Sequence, residues 1–133
     1  MQKKIVQKAQ AILNALGSPD AELSIVILDD AAIADLNRRY LNRSGPTNVL
    51  AFPMRSGDFS EIASELLGDV VISAETTRRE AKDLGVTFEQ RLFELLVHGV
   101  LHLYGYDHEK SARESARMQQ KAGMLLKIMA DTA

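Results

Sequence analysis

The sequence has 133 residues, 46% of them hydrophobic and 26% charged, which is the balance expected for one globular domain spanning residues 1–133. It contains no cysteine, which excludes disulfides, thiolate metal ligands and a thiol nucleophile. The formal net charge of −2 excludes general attraction of polyanions, so contact with a nucleic acid would need a local basic patch. The polar N-terminal segment and the lack of a long apolar run predict a cytoplasmic protein without a membrane partner.

The first half of the chain alternates helical and strand patterns. Apolar residues at helical spacing predict a helix over residues 3–16, and the β-branched run ELSIVIL predicts a strand over residues 22–28. Asp29 or Asp30 can cap a helix that ends near Leu41, before the helix-breaking segment NRSGP. A second strand, TNVLAF, is then closed by Pro53. The strand–helix–strand order of residues 22–52 favours a parallel strand pair.

The second half begins with a polar loop over residues 54–65 and a third strand, LLGDVVIS. Ser73 can cap a helix to Leu84, and the pairs Thr87–Gln90 and Ser111–Glu114 have the spacing of capping boxes. They predict a helix from Phe88 to about Tyr104, apolar on nearly every side, and a last helix to about Met129. We therefore expect a compact α+β domain with a small mixed sheet covered by helices.

The three histidines of the sequence all lie between residues 98 and 108. His98 and His102 are four residues apart, which places both rings on one face of a helix. Gly105 can end that helix in the left-handed conformation, so that the chain turns back and His108 becomes a third metal ligand. The spacing matches the zinc pattern of metzincin proteases at every position except Gly99, where those proteases have a glutamate. We predict a metal site on a buried helix and the turn after it.

Three neutral imidazoles leave a coordination position of a zinc ion open, as in catalytic zinc sites. The expected cofactor is one Zn²⁺ ion, although nickel and copper also suit imidazole ligands. Asp107 or Glu109 could instead close the coordination sphere, which would make the site structural. A buried, hydrogen-bonded histidine cluster without metal is the remaining alternative.

Gly99 cannot act as the general base that the protease mechanism requires. A phosphodiester brings its own negative charge, and in RNA its own 2′-hydroxyl nucleophile, so the missing glutamate favours phosphoester chemistry over peptide hydrolysis. The residues do not identify a general base.

The segment HGVLHLYGYDH resembles the H-G-x-x-H-x-x-G-Y-D-H signature of the YbeY family of metal-dependent endoribonucleases. LNRRYLNRSGPTNVLAFP and LLGDVVIS are similar to two further segments of that family. The resemblance implies a zincin-like fold and a single-strand-selective endoribonuclease of rRNA maturation and ribosome quality control. It also implies metal ligands at His98, His102 and His108, an rRNA substrate, the small ribosomal subunit as a partner and no action on DNA.

The sequence departs from the family pattern at several positions. Leu41 stands where the family commonly has an arginine linked to RNA handling, so Arg39 or Arg43 could supply the guanidinium for the substrate phosphate. Ala51 replaces a serine, and the strand that usually precedes the first helix is missing or very short. Two other functions therefore stay open: a ribosome assembly factor with a structural metal site, and a metallopeptidase.

Three carboxylates each have two possible structural or functional roles. Asp107 either orients a ligand imidazole or caps the turn after Gly105. Asp69, unusual in a strand pattern, either faces the cleft or lies at a sheet edge. Glu94 either reaches the metal side of its helix or has an ordinary surface role.

Overall fold

A computed structural model describes residues 2–54, 66–107 and 111–132. Within these ranges the chain forms five helices and three strands: α1 (Gln2–Ala15), β1 (Glu22–Leu28), α2 (Asp30–Leu41), β2 (Val49–Pro53), β3 (Leu66–Ser73), α3 (Ala74–Leu84), α4 (Phe88–Leu103) and α5 (Ala112–Asp131). The predicted loop at 54–65 lies, from residue 55 onward, outside the described residues. None of the described helices is long and apolar enough to cross a membrane. The α+β class is confirmed, and each predicted element is found within a few residues of its expected bounds.

Side-chain caps explain where four of the helices begin. In each, a hydroxyl or carboxylate oxygen accepts a backbone N–H that has no partner within the helix. These bonds join Asp29 to Ala32 at 2.8 Å, Ser73 to Thr76 at 3.2 Å, Thr87 to Gln90 at 3.0 Å and Ser111 to Glu114 at 3.0 Å.

The strands form a mixed sheet in the order β1-β3-β2. β1 pairs with β3 in parallel, and β2 pairs with β3 in the antiparallel direction. A parallel pair between the first two strands, which the strand–helix–strand order favoured, is therefore wrong, because β3 lies between them. β3 takes the centre because it is the most completely buried strand, with Leu67, Val70 and Ile72 almost inaccessible to solvent.

Helices cover both faces of the sheet. α4 lies against one face and is flanked by α1 and α5, while α2 lies against the other face. Nine of the sixteen residues of α4 are buried, so this helix forms the centre of the main core, as its apolar pattern predicted. Each fully buried leucine or valine in such a core contributes about 1.5–3 kcal/mol relative to an exposed one. This packing fixes the rotation of α4 and hence the direction of its two histidines.

Candidate metal centre and cleft

His98 and His102 direct the same ring atom toward each other across one turn of α4. Their Nε2 atoms are 3.0 Å apart, and their ring planes meet at 73°. Two nitrogens bound at about 2.0–2.1 Å to a tetrahedral zinc ion stand about 3.3 Å apart. The observed separation needs only a small adjustment to reach that value, so this pair fits a shared metal ion.

His108 lies outside the described residues. In the part of the chain that the structure describes, no three His, Cys, Asp or Glu side chains come together as a metal site. Of the three predicted ligands, the described ranges therefore contain His98 and His102.

Gly99 lets α4 approach the sheet closely at the level of the histidines. A Cβ atom at this position would lie 2.6 Å from Val70 Cγ1 and 3.2 Å from Val49 Cγ2. Real Cβ atoms do not approach other carbons so closely, and both valines are held in the sheet. The missing glutamate thus has a packing cause as well as a chemical consequence: position 99 has no room for a larger side chain.

The histidine pair opens onto a cleft of about 550 Å³ between α4, β2 and the C-terminal end of α2. That volume falls within the range of about 300–1,000 Å³ typical of ligand sites. The described lining residues are Leu41, Arg43, Thr47, Asn48, Val49, Leu50, Ala51, His98, Gly99, His102 and Asp107. The cleft thus combines the imidazole pair with a guanidinium, polar groups and an apolar strand.

A left-handed turn at the end of α2 brings Arg43 to this cleft. Asn42 has φ 54° and ψ 39°, and its N–H donates to the carbonyl of Arg38. Asparagine adopts this conformation more readily than most residues, which makes it a suitable helix C-cap. The buried Asn37 then donates from Nδ2 to the carbonyl of Gly45 at 3.0 Å and fixes the following loop. Leu41, the last residue of α2, and Arg43, which follows the cap, therefore both line the cleft.

Comparison with known proteins identifies the family of this chain. The family model "Endoribonuclease YbeY" matches residues 1–130. The chain belongs to the endoribonuclease YbeY family. Its relatives named endoribonuclease YbeY include one from Geobacter sulfurreducens, 48% identical over 89% of this chain and 79% of the relative. Another, from Geobacter metallireducens, is 49% identical over 91% of this chain and 81% of the relative.

The fold is also shared with a solved structure. A solution structure of a Thermotoga maritima protein superposes with a TM-score of 0.68 at 25% identity, covering 96% of this chain and 82% of that protein. The fold of this chain is therefore shared with a protein that is 25% identical to it.

The two arginines considered for the phosphate have different surroundings. Arg43 lines the cleft beside Leu41. Arg39 lies on α2 outside the described lining, where its guanidinium forms an ion pair with Asp35 at 3.3 Å and lies over the ring of Tyr40 at 5.6 Å. The structure thus brings Arg43, and not Arg39, to the histidine pair.

The three carboxylates with two possible roles also differ in their position relative to the cleft. Asp107 lines the cleft. Asp69 lies in the central strand, not at a sheet edge, and strand alternation places it with Val71 on the face covered by α2. Both readings of Asp69 are therefore wrong. Glu94 forms an ion pair with Arg91 at 3.0 Å and lies outside the described lining, which agrees with a surface role.

Thr47 and Asn48 are cleft residues that sequence reasoning missed. They precede β2 within the segment that resembles the family, but their residue types carry no chemical signal on their own. Their position in the cleft depends on the antiparallel pairing of β2 with β3, which local pattern does not determine.

Proposed function

We propose that this YbeY protein is a zinc-dependent endoribonuclease, selective for single strands, that acts in rRNA maturation and ribosome quality control. The observation that supports this most directly is the 3.0 Å separation of the His98 and His102 Nε2 atoms at the edge of a cleft that also contains Arg43. The names of the relatives support RNA as the substrate. An rRNA substrate further implies action in the cytoplasm, with the small ribosomal subunit as partner and no action on DNA.

His98 and His102 would hold one Zn²⁺ ion together with His108. When bound, zinc supplies a divalent charge that polarises a phosphodiester and favours the ionisation of water. Nickel and copper share the preference for imidazole and are tested beside zinc.

The other described residues of the cleft act on the substrate or on the ligands. Arg43 would hold a phosphate through its guanidinium, whose paired donors suit phosphate oxygens. Asp107 would orient a ligand imidazole from the cleft wall. Among the described residues we assign no general base.

We propose that this protein resembles zincin proteases in its metal site but does not hydrolyse peptides. A protease of that pattern needs a carboxylate where this chain has Gly99. Because Val70 and Val49 occupy the space beyond Gly99, no side chain fits there without moving the sheet.

The test compares zinc-loaded protein with its His98→Ala variant on a single-stranded RNA. We expect the variant to keep its circular dichroism spectrum and to lose cleavage by at least about 100-fold, since even residues behind metal ligands contribute about 10–100-fold. A Gln10→Ala variant, at an exposed position of α1 outside the described cleft lining, should cleave like the wild type. Equal cleavage by folded His98→Ala would refute the nuclease proposal, and metal-dependent peptide turnover would favour the peptidase.

A further inference from the structure

Asn48 is held in the cleft by a chain of charged groups that reaches it from two helices. Its Nδ2 atom lies 3.3 and 3.2 Å from the two carboxylate oxygens of Glu80 on α3. Glu80 is in turn bound by Arg91 on α4, with contacts of 2.9 and 3.0 Å. Both partners of this ion pair are mostly shielded from solvent, with side chains 22% and 32% exposed for Arg91 and Glu80. The amide of Asn48 is therefore attached to a rigid support.

This support determines which end of the amide is free. A carboxylate only accepts hydrogen bonds, so the amide group facing Glu80 has to be the NH₂ donor. The carbonyl oxygen, Oδ1, is then the end turned away from Glu80. Within residues 2–54, 66–107 and 111–132, no donor forms a hydrogen bond with that oxygen. Asn48 lines the cleft that also contains the histidine pair, and Oδ1 is the end of its amide that Glu80 does not bind.

An acceptor is not suited to the phosphate of a nucleic acid, whose oxygens also accept. The donors that a single RNA strand offers are its ribose 2′-hydroxyls and the amino and imino groups of its bases. Of these, the 2′-hydroxyl occurs at every nucleotide and is the group by which proteins distinguish RNA from DNA. Arg43, in the same cleft, suits the phosphate of that nucleotide.

We infer that Asn48, positioned by Glu80 and Arg91, accepts a hydrogen bond from a ribose 2′-hydroxyl and thereby selects RNA over DNA. This inference rests on the proposed function, because it takes RNA to be the ligand of the cleft. It adds a specificity-determining residue, Asn48, and a positioning residue, Glu80.

The experiment measures binding of zinc-loaded protein to three oligonucleotides of one sequence by fluorescence anisotropy. The probes are RNA, fully 2′-fluoro RNA and DNA. Anisotropy is read at low temperature, within a time for which gels show that the RNA is not yet cleaved, and cleavage is measured separately at 37 °C. The 2′-fluoro probe keeps an RNA-like sugar but has no hydroxyl donor. Since one hydrogen bond contributes about 0.5–1.5 kcal/mol, the wild type should bind RNA roughly 2–10-fold more tightly than 2′-fluoro RNA.

In Asn48→Ala, RNA binding should fall to the level of 2′-fluoro RNA, while binding of the other two probes stays unchanged. Asn14→Ala, the same substitution at an exposed position of α1, is the matched control and should bind all three probes like the wild type. Glu80→Gln keeps the side chain of Asn48 but removes the charge that orients it. The preference for RNA over 2′-fluoro RNA should therefore fall to a value between those of the wild type and Asn48→Ala. This variant tests the inference independently if Asn48→Ala does not fold.

Equal loss of binding to all three probes in Asn48→Ala would overturn the inference, as would an unchanged ratio of RNA to 2′-fluoro RNA. A wild type that binds the three probes equally would overturn it too. These failures differ from that of the proposed function. If RNA cleavage depends on the metal but Asn48→Ala leaves the ratio of RNA to 2′-fluoro RNA affinity unchanged, only the role of Asn48 is refuted. RNA binding without any cleavage would instead refute the nuclease.

Discussion

Gly99 lies against Val70 so closely that a Cβ atom at position 99 would stand 2.6 Å from Val70 Cγ1. Alanine usually stabilises a helix relative to glycine by about 0.5–1 kcal/mol. At this position the close contact outweighs that gain, because overpacking a core typically costs about 1–3 kcal/mol. Gly99→Ala should therefore destabilise the protein, as measured by the midpoint of urea unfolding.

Gly123 provides the matched control for that substitution. It lies in α5, and a Cβ atom there would have no neighbour within 4 Å. Gly123→Ala should stabilise the protein by about 0.5–1 kcal/mol through helix propensity alone. Stabilisation by both substitutions would show that α4 does not pack against Val70 as described.

Asp30 joins the starts of α2 and α3 and should make stability depend on acid pH. Hydrogen bonds from Ser73 and Thr76, followed by one from Arg79, lower the pKa of its carboxyl from 3.8 to about 2. Because the folded pKa lies below the unfolded value, this stabilisation is present above about pH 4 and disappears as the pH falls toward 2. Asp30→Asn should reduce stability at pH 7 and flatten the pH dependence of the urea midpoint between pH 4 and 2.

Asp20→Asn is the control for the titration of Asp30. Asp20 is an exposed carboxylate that makes no hydrogen bond or ion pair to the described residues. Its substitution should leave the acid dependence as it is in the wild type. If Asp30→Asn keeps the full acid dependence, other groups cause it and the network around Asp30 contributes nothing measurable.

Arg43 and Arg39 should differ in their effect on RNA binding. Each phosphate contact on a single strand contributes about 0.7 to the slope of log K against log salt. Arg43→Ala should weaken binding and reduce that slope by about this amount, because the guanidinium lines the cleft. Arg39→Ala should change the slope less, since Asp35 already pairs with Arg39. The reverse order, measured by anisotropy titrations over a range of salt concentrations, would place the phosphate outside the cleft.

Local signals in the sequence predicted the elements well, because caps and periodicity act within a few residues. Asp29, Ser73, Thr87 and Ser111 begin their helices as their positions indicated. The spacing of His98 and His102 likewise predicted a shared face of one helix, since four residues make about one turn.

Properties that depend on distant parts of the chain could not be predicted in the same way. The parallel partner of β1 is β3 rather than β2, because the burial of a whole strand decides which one is central. That pairing also places Asp69 on the α2 face and Asn48 in the cleft. The contact between Asn48 and Glu80 joins residues 32 positions apart, which no local pattern records.

The metal centre is tested most directly by measuring zinc content together with the X-ray absorption spectrum of the bound ion. We expect one zinc ion per chain, bound by three imidazole nitrogens and one oxygen that does not come from the protein. His98→Ala, His102→Ala and His108→Ala should each lose that ion while remaining folded. Four protein ligands around the zinc, or a full zinc content in folded His98→Ala and His102→Ala, would contradict an open metal site formed by these histidines.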